Sequence, residues 1–237
     1  MHYFFARHID NNIAQLDADE SLHLSKVLRL KPGDSIGVLD GSGTIFSALV
    51  KTVHAKASEA EIVGVQKAHI PRPYRLHVAM APTKMMERFE WFLEKAVEIG
   101  IDEISPILTE RCERSVVKMA RIENVVKAAM KQSLNAKTPV MNEIRSFGAC
   151  LKESSAQNKF IAHCADGNKI LLPKAALHGS DILVCIGPEG DFTPREIVVA
   201  HDAGFTGVSL GESRLRAETA GVVACAQVQA AWMGKEC

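Results

Sequence analysis

The chain has 237 residues, 47% of them apolar, and carries 28 basic side chains against 28 acidic ones. That length buries a substantial core in one large or two small domains, and no run reaches the roughly 18 consecutive apolar residues of a membrane span. The neutral total gives no support to a nucleic-acid binder and excludes none, because a local basic patch is what touches phosphate.

The opening MHYFFARHIDNN lacks a basic stretch followed by a long apolar one, so it does not read as a signal peptide. Six cysteines, Cys112, Cys150, Cys164, Cys185, Cys225 and Cys237, are scattered without a C-x-x-C pair. The expectation is reduced thiols in a soluble cytoplasmic protein, with neither a disulfide frame nor a metal site.

In chain order, residues 1–70 read as a small β-rich unit. HLSKVLRLKPGDSIGVLDGSGTIFSALVKTV holds short β-branched runs separated by Pro32-Gly33-Asp34 and by Asp40-Gly41-Ser42-Gly43. Asp-Gly between apolar runs is a strong hairpin signal. Ile36, Val38, Ile45 and Ala48 would line strands, and EAEIVGVQKA supplies another, the pattern of a small barrel. IPRPYR, residues 70 to 75, has the prolines of a linker.

From residue 71 to 237 strands alternate with helices. RLHVAMAP reads as a buried strand and MERFEWFLEKAVEIG as a helix, with Phe89, Phe92, Leu93, Ala96 and Val97 at helical spacing and Gly100 at the C-terminal cap. Trp91 lies off that stripe, either capping a neighbouring loop or meeting a partner subunit or the first domain. DEISPIL is the next strand, a helix follows near 118–134, and KFIAHCADG, DILVCIG and TGVSLG are three further strands. This alternation predicts an α/β domain with a largely parallel sheet.

Two segments carry chemistry. In IGPEGDFTPREI, Thr193 is the N-cap of a helix, Pro194 its first residue, and Glu196 completes a capping box. Gly187 to Asp191 are then free to form an exposed loop at the carboxyl end of a strand, where open α/β sheets bind ligands; a plain structural turn is the other reading. The spacing fits neither a Walker loop nor a dinucleotide fingerprint. Glu189 and Asp191 would repel phosphate, which suits a cationic or amide-like ligand such as a sulfonium or adenine. In SLGESRLRAETAGVVACAQVQAAW, a loop with Arg214, Arg216, Glu218 and Thr219 leads into a helix rich in Ala and Gly. The arginines either close the loop through an Arg–Glu pair or stabilise an anion on a substrate, since a helix start favours acids over cations.

IGPEGDFTPREI together with LGESRLRAETA resembles the signature pair of SPOUT-class RNA methyltransferases, and most closely the ribosomal small-subunit methyltransferase E family. HLSKVLRLKPGDSIGVLDGSG resembles that family's N-terminal PUA-like RNA-binding barrel, and EWFLEKAVEIGIDEISPILTERCERS the opening of its catalytic domain. The resemblance implies methylation of N3 of a uridine, position 1498 of 16S rRNA, with S-adenosylmethionine as cofactor. It also implies a homodimer acting on 16S rRNA or the 30S subunit, and a C-terminal SPOUT-type domain tied in a trefoil knot, an exception to unknotted chains. Three loops would hold the cofactor: one at His163, one at Ile186, Gly187, Pro188, Glu189 and Gly190, and one at Leu210, Gly211, Ser213, Leu215 and Arg216. Asp191 stands where the family often has a second glycine. In KAAMKQSLNAKTP, Lys131 stands where an acid is common, and Asn135 or Lys137 near the usual Arg; Lys127 and Lys131 would present a basic or merely solvated face.

Uridine N3 must lose its proton before it attacks the methyl group, and the charge spreads onto O2 and O4. A guanidinium stabilises that anion without losing its own proton. Arg216 is the first candidate and Arg214 the second, with Glu218 or Glu189 as a general base. Arg111 and Arg114, and Arg7, His23, Lys26 and Arg29 in the barrel, are candidate RNA contacts. The alternatives are a related knotted enzyme acting on tRNA and a non-catalytic RNA-binding assembly factor.

Overall fold

The computed structural model describes residues 1–234; Cys237 lies outside the described residues. The chain divides into two compact units, the first made of Met1–Pro71 with Lys127–Thr138 and the second of the remainder.

In the first unit, β1 (Tyr3–Asp10), β2 (Ile13–Leu16), β3 (Ser35–Leu39), β4 (Thr44–Thr52) and β5 (Glu59–Ala68) close into a barrel in the order β1-β2-β5-β4-β3. The Asp40–Gly43 turn joins β3 to β4 as an antiparallel hairpin with Leu39 opposite Ile45. Ile36, Val38, Ile45 and Ala48 are buried as the apolar pattern requires. HLSKV is not a strand: α1 (Ala18–Leu22) runs into a π-helical turn at His23–Val27. Asp17 caps that helix by accepting from Glu20 N at 2.9 Å, and Leu24, Leu28 and Leu30 pack on the barrel core. Burial of a helical leucine stripe thus prevails over β-branched local preference.

In the second unit, β6 (Arg75–Met80), β7 (Glu103–Leu108), β8 (Val140–Met141), β9 (Arg145–Ser146), β10 (Asn158–Ala162), β11 (Ile170–Leu171), β12 (Asp181–Ile186) and β13 (Thr206–Ser209) form one sheet. Its order is β11-β13-β10-β12-β6-β7-β8, with β9 also on β7, and the pairings are parallel. The α/β class with a parallel sheet and a small barrel stands as expected. The helices are α2 (Met86–Ile99), α3 (Met119–Ser133), α4 (Phe147–Glu153), α5 (Leu172–Ala175), α6 (Pro194–Asp202) and α7 (Ala217–Met233). Ala79, Ile161, Leu183 and Cys185 pack with Phe147, Cys150 and Leu151 of α4 and Ile197 and Ala200 of α6. Helices α2 and α7 pack together, with α7 also against β6 and β12. A side chain at Gly221 would meet the Phe92 ring at 2.6 Å, so this close approach needs glycine.

The linker ends in an anchor. Arg72 pairs with Asp102 at 2.5 Å, and the Tyr74 ring stacks on Trp232. Gly100 caps α2 with φ of 111°, and Trp91 is 42% exposed. Residues 127–138 join the barrel's unit: Thr138 N donates to Gly41 O, and Lys131 pairs with Glu20 at 2.6 Å. Lys131 is therefore committed to a carboxylate, and the expected Lys127–Lys131 basic face loses half its charge.

Candidate active site

Strands β13, β10 and β12 are neighbours, so their carboxyl ends bring three loops to one edge of the sheet. The loops enclose two adjoining clefts. The larger, about 430 Å³, is lined by His163, Cys164, Lys169 and the run from Val208 to Leu215. The smaller, about 280 Å³, is lined by Ile186 to Glu189, Asp191 and Arg214 to Ala217. Ala162, Cys164, Arg214, Leu215 and Ala220 line both.

The loop after β12 is set by its two ends. Thr193 Oγ1 accepts from Glu196 N at 3.2 Å, and Glu196 Oε2 accepts from Thr193 N at 2.8 Å, completing the capping box with Pro194 at the helix start. Glu196 Oε1 also accepts from Glu110 N at 2.8 Å, tying this helix start to the segment after β7. Phe192 is buried against Phe147, with ring centroids 4.9 Å apart. Gly187 gives it room: a Cβ there would meet the Phe192 ring at 3.1 Å and its backbone nitrogen at 3.2 Å. Between these anchors, Glu189 Oε1 accepts from Lys84 N at 3.0 Å and the Gly190 carbonyl accepts from Arg111 at 2.7 Å. Asp191, at φ of 62°, accepts from Cys164 N and Phe192 N, each at 2.8 Å.

The loop after β13 is held from α7, where Gln227 donates to Leu210 O at 2.8 Å. Arg216 is the backbone N-cap of α7, and both Arg214 and Arg216 are exposed. Neither makes an ion pair among the described residues, so the loop is not closed by an Arg–Glu pair. Glu218 is 6% exposed and lines neither cleft; its Oε1 lies 3.9 Å from Arg88 Nε on α2.

His163 lines the larger cleft, its ring edge-on to His201. Burial lowers the His163 pKa, and the nearby Lys169 ammonium lowers it further, so its ring stays neutral into more acidic solution. Lys169 donates to the carbonyls of His163 and Ala165 at 3.1 and 2.8 Å, holding the loop after β10.

Of the residues singled out in the sequence, His163, Leu210, Gly211 and Ser213 line the larger cleft, and Ile186, Gly187, Pro188, Glu189 and Arg216 the smaller. Arg214 and Leu215 line both. Gly190 lines neither; it lies over the Arg111 stem. Arg114 donates to Lys84 O at 2.9 Å, so it and Arg111 brace the loops beside the cleft. Arg7, His23, Lys26 and Arg29 are exposed in the first unit, Arg29 in a left-handed conformation at φ of 53°. Cys164 and Lys169 line the clefts without having been singled out for them, whereas Asp191 lines the smaller cleft as a member of the acidic loop read from the sequence.

Residues 71–229 match the family model described as an RNA methyltransferase domain, and residues 16–63 match an RNA methyltransferase PUA domain. A Synechocystis protein named Ribosomal RNA small subunit methyltransferase E is 33% identical, over 88% of this chain and 70% of its own. The crystal structure of a probable rRNA-methyltransferase from Porphyromonas gingivalis is 38% identical with a TM-score of 0.88, covering 99% of this chain and 100% of that one. A Ribosomal RNA small subunit methyltransferase E from Neisseria gonorrhoeae, bound to S-adenosyl methionine, is 28% identical with a TM-score of 0.86 over 97% of each chain.

Proposed function

We propose, from the premise that this chain belongs to the RNA methyltransferase family and within it to the ribosomal RNA small subunit methyltransferase E proteins, that it methylates N3 of a uridine in 16S rRNA. S-adenosylmethionine is the methyl donor in this reading. The observation that carries it is the divided cleft: three loops after neighbouring parallel strands, which bring Glu189 and Asp191 to the same cleft as Arg214 and Arg216.

The residues fit that cofactor chemically. Ala162, Val208, Leu210 and Leu215 give the larger cleft apolar walls for an adenosine. Glu189 gives the smaller cleft the negative charge that a sulfonium and an ammonium group favour. When bound, the cofactor supplies an electrophilic methyl group whose bond electrons remain on sulfur.

This chain's own residues then act on the uridine. Arg216, with Arg214 beside it, donates to O2 or O4 as the N3 proton leaves, which lowers the cost of the anion. In this reading Glu189, which lines the smaller cleft, accepts that proton. Glu218, set against Arg88, orders the start of α7 and so the direction of Arg216. Arg111 and Arg114 present their remaining donors to RNA phosphate, as do Arg7, His23, Lys26 and Arg29 on the barrel. The target base is reached unpaired, because N3 lies on the Watson–Crick edge.

We also propose a homodimer. Thr219, Val223, Ala226, Ala230 and Met233 form a half-buried to exposed stripe along α7 with three- and four-residue spacing, which a second copy would cover.

The test supplies methyl-labelled S-adenosylmethionine with naked 16S rRNA, assembled small subunits and bulk tRNA. Label in either rRNA substrate supports the reading. Label in tRNA alone favours the tRNA enzyme, and label in none favours the non-catalytic factor.

A further inference from the structure

The loop after β12 and the loop after β10 both line the smaller cleft, and one side chain stitches them together. Asp191 Oδ2 accepts from Cys164 N at 2.8 Å, across 27 positions of chain. Its Oδ1 accepts from Phe192 N at 2.8 Å, and Phe192 is seated in the core. The turn beneath is closed by Asp191 N donating to Pro188 O at 2.9 Å. The residue adopts φ of 62°, a left-handed conformation that glycine takes freely and aspartate takes at modest cost. A glycine here would satisfy the turn and leave the Cys164 amide without this partner.

We propose that Asp191 is a positioning residue for methyl transfer, a carboxylate staple that holds the Cys164 wall against the Gly187–Asp191 wall before the cofactor arrives. Bonds from amides to a carboxylate are stronger than neutral ones. A cleft whose walls are already joined binds its ligand without the cost of ordering them. The carboxylate acts through the loops, since both of its oxygens already face backbone amides. The proposal rests on the reading of this cleft as the S-adenosylmethionine site.

The test compares wild type, Asp191→Gly and Asp191→Asn as full-length proteins. Glycine keeps the left-handed turn, so the fold is retained, while Asn keeps one accepting oxygen for Cys164 N and turns its NH2 donor toward Phe192 N. S-adenosylmethionine affinity is measured by calorimetry, kcat and KM on 16S rRNA, and exchange of the Cys164 amide by NMR in the free protein. In Asp191→Gly the cofactor Kd and KM rise about tenfold, kcat stays within about twofold, and the Cys164 amide exchanges faster. Asp191→Asn, which keeps one accepting oxygen, recovers part of the affinity and of the Cys164 protection.

Unchanged affinity and exchange in Asp191→Gly would overturn the staple. So would an Asp191→Asn protein that protects the Cys164 amide yet binds the cofactor as weakly as Asp191→Gly, which would point instead to direct attraction between the carboxylate charge and the cofactor. A wild-type protein that binds no S-adenosylmethionine overturns the cofactor reading itself, and the Cys164 amide then still decides whether the staple exists.

Discussion

Arg216 caps α7 with its backbone, which leaves its guanidinium exposed, without an ion pair among the described residues, and on the lining of the smaller cleft. If it stabilises the uridine anion, its contribution appears in the transition state and little in cofactor binding. Arg216→Ala then lowers kcat by about 100-fold or more while the S-adenosylmethionine Kd moves less than about threefold, an oxyanion-type loss. Proportional losses in kcat and affinity would show that Arg216 binds cofactor instead. A second residue sets a pH limit on the fold. His77 is buried beside Ser105, with Nε2 2.8 Å from Ser105 Oγ. Burial pushes its pKa down from 6.5 to about 4, with Arg75 and Arg145 lowering it and Glu103 opposing. Between those values the unfolded chain takes up a proton that the folded chain refuses, so stability is lost as pH falls through that window. The melting temperature therefore drops from about pH 7.5 to about pH 5, and drops less in His77→Gln; equal drops would exclude His77 as the cause.

The start of α6 shows how much of an element is legible in a sequence. Thr193, Pro194 and Glu196 specify the capping box completely, because capping is a local contract between residues three apart. The further bond from Glu110 N to Glu196 Oε1 was not legible, since it joins residues 86 positions apart. Thr193→Ala is expected to cost about 1 kcal/mol by chemical denaturation. Glu196→Ala costs more, about 2 kcal/mol, because it also leaves the Glu110 amide without this acceptor; equal costs would show that the Glu110 bond contributes nothing. The strand–helix alternation and the hairpin at Asp40–Gly43 were legible for the same local reason. The helical run at His23–Val27 was not, although Asp17 and Glu20 carried a capping signal three residues apart. Its conformation is decided by where Leu24 is buried, a tertiary matter. Likewise Lys131 read as a surface charge, because Glu20, its partner, lies 111 positions away. In the clefts, the glycines and arginines announced themselves by motif, whereas Cys164 and Lys169 line them through strand order alone.

At the scale of the molecule, the barrel and the sheet divide the work of the proposed reaction. In that reading the exposed cations of the barrel would address RNA phosphate, and the sheet's loops would address cofactor and base. The proposed homodimer would cover the stripe on α7. Light scattering should give twice the chain mass for wild type and the monomer mass for Ala226→Glu, which places a charge in the stripe; a monomeric wild type would remove the dimer from the account. The central claim concerns one atom of one base. Purified protein, S-adenosylmethionine and 16S rRNA, naked or as small subunits, are incubated, and the RNA is digested to nucleosides for mass spectrometry against authentic standards. The account predicts 3-methyluridine with wild type and its loss with Arg216→Ala. Methylation at another position of uridine, on another base, or absent from both substrates would contradict it.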